Sequence, residues 1–243
     1  MRRWRQGAFQ VALSLTIVPG AFAATKIILV GDSTVADEGG WGPGFRASFG
    51  PEVEVVNLAR NGRSSKSFRD EGLWTPALEA KPDYVLIQFG HNDGPGKGPA
   101  RETAPTTTFR ENMVRYVEEA RAAGAVPILV TSIVRRNFTP EGKIRQDSLT
   151  PYADEVRVIA AETQVPLVDL NTLTRAQAEA AGPTGALAIG KKLPNGKQDT
   201  THLGPKGQTE IGRMAASELA RLVPALQPFL LADKLASARF VVF

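Results

Sequence analysis

Lys26-Ile27-Ile28-Leu29-Val30-Gly31-Asp32-Ser33 is the stretch that decides the architecture. Four consecutive apolar residues, three of them β-branched, stop at a glycine followed by two small polar residues. A continuous apolar run, rather than an alternating one, predicts a strand covered on both faces. Val53 to Leu58, Tyr84 to Phe89, Val126 to Thr131 and Val165 to Leu170 repeat the pattern. Helical spacing fills the gaps. Phe109, Met113, Tyr116, Val117 and Ala120 predict a helix over 107–123, with Gly124 as its stop. A second is expected over 150–163, with Pro151 in its first turn. A third follows Gly204-Pro205, through Ile211, Met214, Ala215 and Leu219. Five such strands alternating with helices predict one α/β domain, a doubly wound parallel sheet in three α/β/α layers. The Gly/Pro/Lys stretch from Gly182 to Lys197 reads as a loop.

In open parallel sheets, sites form outside the carboxyl ends of the strands. The segments there are Gly31-Asp32-Ser33, Asn57 to Gly62, Gly90-His91-Asn92-Asp93 and Ser132 to Arg136, with Asp199-Thr200-Thr201-His202 just before the last helix. The 243-residue chain has no cysteine and two histidines. That excludes disulfides, thiolate nucleophiles, cysteine zinc sites and iron–sulfur clusters, and argues against a three-histidine metal centre. The remaining chemistry runs on Ser, His, carboxylates and amides. A serine hydroxyl needs a base within hydrogen-bond reach. His202 has Asp199 three residues before it, whereas His91 has Gln88 at that spacing. A carboxylate so placed can hold one ring nitrogen and leave the other for Ser33. An oxyanion needs donors as well. The Ser33 N–H, the Gly62 N–H and the Asn92 amide are the candidates. Taken singly, each of these segments also reads as an ordinary turn. His91 fits equally a substrate contact and a residue that orders its own loop.

Gly31-Asp32-Ser33, Gly62 in Asn57-Leu58-Ala59-Arg60-Asn61-Gly62, Asn92 in Gly90-His91-Asn92-Asp93, and Asp199-x-x-His202 resemble, in order and spread, the four sequence blocks of the SGNH (GDSL-type) hydrolases. More narrowly, Gly31 to Ala36, Gly62-Arg63-Ser64-Ser65-Lys66-Ser67-Phe68 and Gly90 to Asp93 are similar to the rhamnogalacturonan acetylesterase group. The resemblance implies a flavodoxin-like five-stranded sheet and a carboxylic ester hydrolase working without metal or cofactor. It implies Ser33 as nucleophile, Asp199 and His202 as its triad partners, and Ser33, Gly62 and Asn92 as oxyanion donors. The implied substrate is an acetylated polysaccharide, and the protein is expected as a monomer.

The first residues read as an address. Met1-Arg2-Arg3-Trp4-Arg5 is basic, Ala8 to Val18 is mostly apolar, and Ala21-Phe22-Ala23 has the small-x-small pattern of a cleavage site. Residues 1–23 are thus expected as a signal peptide and 24–243 as a single domain, secreted or periplasmic. Cleavage would remove three arginines and no acid, taking the net charge from +4 to +1. A general case for nucleic-acid binding fails on that balance, and no other stretch has the length of a membrane span. Gly94 to Pro99 lacks the N–H groups of a phosphate loop at Pro95 and Pro99.

For the substrate, Arg60, Arg63, Lys66 and Arg69 cluster at the Gly62 loop, and Arg135-Arg136 follow another strand. They read either as a basic rim for an acidic polysaccharide such as pectin or as a solvated charged face. Trp41 and Trp74 are candidates for stacking on sugar rings, with buried packing the other reading. Two alternatives accompany the esterase. A lipid-ester or thioester hydrolase would need an apolar acyl channel. A non-catalytic carbohydrate-binding protein would have no need of the serine, acid and histidine.

Overall fold

In the computed structural model, which describes residues 24–231, the run from Ile27 to Val30 lies inside a five-stranded parallel sheet. The strands are β1 (Thr25–Gly31), β2 (Val53–Asn57), β3 (Tyr84–Gln88), β4 (Val126–Val130) and β5 (Leu167–Val168), in the order β2-β1-β3-β4-β5. Side chains alternate across a strand, and the two faces separate accordingly. Ile27 and Leu29 join a core with Phe45, Ile211, Ala215 and Leu219. Ile28 and Val30 join another with Met113, Tyr116, Val117, Tyr152, Val156 and Ile159. Two-sided burial is the reason the central run Ile27 to Val30 is apolar at every position. The α/β/α architecture expected from the sequence is the one observed.

The helices are α1 (Gly42–Arg46), α2 (Ser67–Asp70), α3 (Thr75–Glu79), α4 (Arg110–Ala122), α5 (Thr150–Thr163), α6 (Leu170–Ala188) and α7 (Pro205–Leu222). One turn of π-helix, Pro105–Phe109, leads into α4. The chain steps outward from β1 to β2 and then returns to place β3 on the other side of β1. The strand order reverses there, opening a crevice at the carboxyl ends of β1 and β3.

The reading of 182–197 as a loop is corrected. Residues 182–188 belong to α6, which breaks at Gly182 and resumes with Pro183 in the first turn of its second half. Thereafter the chain forms an antiparallel hairpin, β6 (Gly190–Lys192) and β7 (Gln198–Leu203). Asp199 and His202 therefore lie on a strand of a separate two-stranded ribbon. The signal-peptide reading concerns residues 1–23, outside the described residues. Among the described residues, no helix is long and apolar enough to cross a membrane.

Candidate active site

The turn after β1 places Ser33. Val35 and Ala36 both donate their N–H groups to the Asp32 carbonyl. The Asp32 carboxylate is fully buried and accepts the Thr34 N–H at 2.8 Å and the Thr34 hydroxyl at 2.7 Å. Burial pushes the Asp32 carboxyl up, against the pull of those two bonds. Gln88, at the end of β3, donates to Thr34 Oγ1 at 2.7 Å and accepts the Trp41 indole N–H at 2.9 Å. A polar chain from Trp41 to Asp32 thereby fixes the serine turn to the neighbouring strand.

The ribbon brings the other two groups. His202 Nε2 lies 2.9 Å from Ser33 Oγ, and His202 Nδ1 lies 2.8 Å from Asp199 Oδ2. Asp199 Oδ1 accepts the backbone N–H groups of Thr201 and His202 at 2.7 and 3.0 Å. Partial burial would raise this carboxyl, but the Thr201 N–H, the His202 ring and the His202 N–H outweigh it and hold Asp199 below the usual carboxylate range. The aspartate is thus an ionised orienter for the imidazole. With Nδ1–H directed to the carboxylate, Nε2 is left as the acceptor facing the serine.

The three expected oxyanion donors converge here. Ser33, Gly62 and Asn92 line one cleft of about 820 Å³ together with Asp199 and His202. Among the described residues, neither the Ser33 nor the Gly62 N–H donates to another protein group. Gly62 has φ +76°, a backbone that L side chains rarely adopt. Asn92 spends one amide hydrogen on the Arg63 carbonyl at 3.1 Å and keeps a second. Asp93 holds the two donor loops in register. Its Oδ1 accepts the Ser65 hydroxyl at 2.6 Å, the Ser65 N–H at 3.0 Å and the Thr103 hydroxyl at 3.0 Å. Burial pushes Asp93 up to about 7 despite these bonds.

His91 orders its own loop. It is buried, and its Nε2 lies 3.1 Å from the Ile133 carbonyl, to which it donates. Burial, then the charge of Arg135, pushes its pKa down to about 3, so it stays a neutral imidazole.

The substrate-contact candidates need correction. Trp41 is 0% exposed, its ring edge against Phe45 at 5.6 Å between centroids. Trp74 is 5% exposed, T-stacked on Tyr116 and donating to Glu119 at 2.7 Å. Each found a hydrogen-bond acceptor for its indole inside the protein, and burial followed. Neither offers a face to a sugar. Most of the expected basic rim is also engaged. Arg63 pairs with Glu71 at 2.8 Å and holds the Asn61 carbonyl, Lys66 pairs with Asp70, Arg69 with Glu119 and Arg135 with Asp147. Arg136 is buried.

The cations that do line the cleft are Lys191 and Lys192 of β6, in a lining that also includes Glu38 and Asn61. Neither has an acid partner among the described residues, and both are exposed. Sequence reasoning missed them because it read their segment as a loop. Asn195-Gly196 between two short runs was the available hairpin signal.

Residues 29–209 match the GDSL-like Lipase/Acylhydrolase family. The chain is 35% identical over 214 residues to the rhamnogalacturonan acetylesterase RhgT of Bacillus subtilis, covering 81% of this chain and 90% of that protein. It is 30% identical over 221 residues to the rhamnogalacturonan acetylesterase of Emericella nidulans, covering 82% and 85%. Among solved structures, the Bacillus subtilis protein YXIM superposes with a TM-score of 0.71 at 28% identity, over 83% of this chain and 57% of that one. An acetylxylan esterase from Geobacillus stearothermophilus, in a catalytic mutant, superposes at 0.60 with 18% identity, over 82% and 94%, a likeness of fold.

Proposed function

Because the chain belongs to the GDSL-like lipase/acylhydrolase family, and is on that ground a carboxylic ester hydrolase, we propose that it removes O-acetyl groups from an acidic plant cell-wall polysaccharide of the rhamnogalacturonan type. The observation that carries the reaction is the continuous line Ser33 Oγ, His202 Nε2, His202 Nδ1, Asp199 Oδ2, with contacts of 2.9 and 2.8 Å. The identity to RhgT supports the substrate class.

In this reading His202 Nε2 takes the hydroxyl proton as Ser33 Oγ bonds to the acetyl carbonyl carbon. The carbonyl oxygen takes the electron pair of the broken π bond. Its charge is met by the free N–H groups of Ser33 and Gly62 and by the Asn92 amide. The tetrahedral species collapses to acetyl-serine, and the departing sugar oxygen takes the proton from His202. Water then repeats the sequence on the acetyl-serine, releasing acetate and restoring Ser33. Asp199 supports the imidazolium at both stages without taking its proton. Asn92→Ala is expected to lower kcat by about 10²–10³, with the fold retained. Full activity in a folded variant would remove Asn92 from the oxyanion site.

The cleft lining bears on the substrate. Leu193 and Pro194 are its apolar members, against Ser33, Glu38, Asn61, Asn92, Lys191, Lys192, Asp199 and His202. The predominance of polar and charged side chains among the lining residues supports a hydrated polyol chain as the substrate. Lys191 and Lys192 supply unpaired positive charge for uronate carboxylates. The double variant Lys191→Gln/Lys192→Gln is expected to raise KM for acetylated rhamnogalacturonan by about 5–20-fold at low salt, with little effect on a neutral aryl acetate. An equal change on both substrates would deny the lysines a role in choosing acidic sugars. The reading includes export, with residues 1–23 as the signal peptide. A fluorophosphonate is expected to label Ser33; a folded protein left unlabelled would remove Ser33 as the nucleophile.

A further inference from the structure

The catalytic base stands on a ribbon that shares no strand pairing with the main sheet. Ser33, by contrast, follows β1 of the sheet. A 2.9 Å contact between them requires something to hold ribbon and sheet in register. The ribbon's own pairing is irregular between Gly190 and Lys192, so it does not supply that register alone.

Arg136, in the segment after β4, reaches across. Its backbone N–H donates to the Thr200 carbonyl at 2.7 Å. Its guanidinium donates from Nη2 to the Asp199 and His202 carbonyls, each at 2.8 Å, and from Nη1 to the Thr201 carbonyl at 3.4 Å. One residue thereby takes all four carbonyls from Asp199 to His202. The side chain is 4% exposed and forms no ion pair among the described residues. Burial lowers its pKa to about 10, which leaves it charged at neutral pH. A buried cation met only by carbonyls, with its Nε left without a partner, is costly to the fold, and its rigid fork matches several acceptors at once, as a lysine cannot.

Gly190 is an independent mark of the same contact. A Cβ there would meet the Asp199 carbonyl oxygen at 2.4 Å and Arg136 Nη2 at 3.2 Å. The strand opposite Asp199 leaves room for the guanidinium and the backbone it grips.

We infer that Arg136 is a positioning residue for the hydrolysis, clamping the Asp199–His202 backbone so that the imidazole sits at Ser33. The inference rests on the triad reading given above. Arg136 touches no reacting atom and lies outside the cleft lining. Its loss should leave substrate binding intact and misplace the base.

The test compares Arg136→Met and Arg136→Lys with the full chain, using a neutral aryl acetate. The readouts are kcat, KM, thermal unfolding, and the ring N–H signals of isotope-labelled histidine. With two histidines in the chain, His91 is the internal reference and His202 the reporter. For Arg136→Met we expect kcat to fall by about 10–100-fold with KM within about twofold, the scale of a base displaced by a fraction of an ångström. The downfield His202 Nδ1–H signal should shift or broaden while the His91 Nε2–H signal stays. Arg136→Lys, keeping the stem and charge, should recover part of the kcat. Should Arg136→Met not fold, the lysine variant carries the test by the same kcat and N–H readouts. A folded variant with wild-type kcat overturns the inference, and so does a lower kcat with an unmoved His202 signal. If neither variant folds, Arg136 is a residue of the fold and the inference falls. Failure of the triad reading itself is a different result, an active Ser33→Ala enzyme.

Discussion

Ser33→Ala should lower kcat by on the order of 10⁵–10⁶ while leaving the fold and substrate binding in place. The reason is local. Ser33 Oγ has His202 Nε2 as its hydrogen-bond partner among the described residues, so its removal strands no buried group. The turn is held by Asp32, Thr34 and Gln88, all of which remain. What disappears is the atom that forms the acyl bond. Residual turnover would come from the oxyanion donors and bound substrate acting on water. A loss of less than tenfold in aryl acetate hydrolysis, with unfolding unchanged, would mean that another nucleophile does the chemistry.

The second large effect is expected at Asp199→Asn. The amide oxygen can replace Oδ1 and accept the Thr201 and His202 N–H groups, so the local backbone should survive. The amide nitrogen then faces His202 Nδ1 at the place of Oδ2. A donor at that position favours the tautomer with the proton on Nε2, which cannot accept from Ser33. Support for the imidazolium is lost as well. Together these should lower kcat by about 10⁴ with KM little changed. A kcat within tenfold of wild type, measured at neutral pH, would show that Asp199 neither orients nor supports the base.

The sheet was legible because its signal is local. Ile27 to Val30 buries alternate side chains in two different cores, so every position had to be apolar, and the run announces itself. The ribbon has no such signal. Gln198 to Leu203 is polar and mostly half-exposed, and Gly190 to Lys192 is three residues long. Nothing in their periodicity marks a strand. Helix α6 was lost to Gly182-Pro183, a pair that reads as a stop but here breaks and restarts one helix.

The site divides along the same line. The Asp199-x-x-His202 spacing lies within one segment and could be read directly. Which cations stay free could not, because their partners come from far along the chain. Arg69 meets Glu119 fifty residues away, and Trp74 finds the same carboxylate. An aromatic pair in the sequence thus became internal structure, and Arg63, Lys66 and Arg69 of the basic cluster became paired. Arg136 looked like rim charge because nothing in the sequence reveals the four carbonyls it serves.

The most direct measurement is acetate release from acetylated rhamnogalacturonan by the wild-type protein and Ser33→Ala side by side, with acetylated xylan as the neutral comparison. Rapid release by the wild type, much slower release from xylan, and none above background from the variant are expected. No release by a folded wild type, or equal release by the variant, would contradict the proposed function.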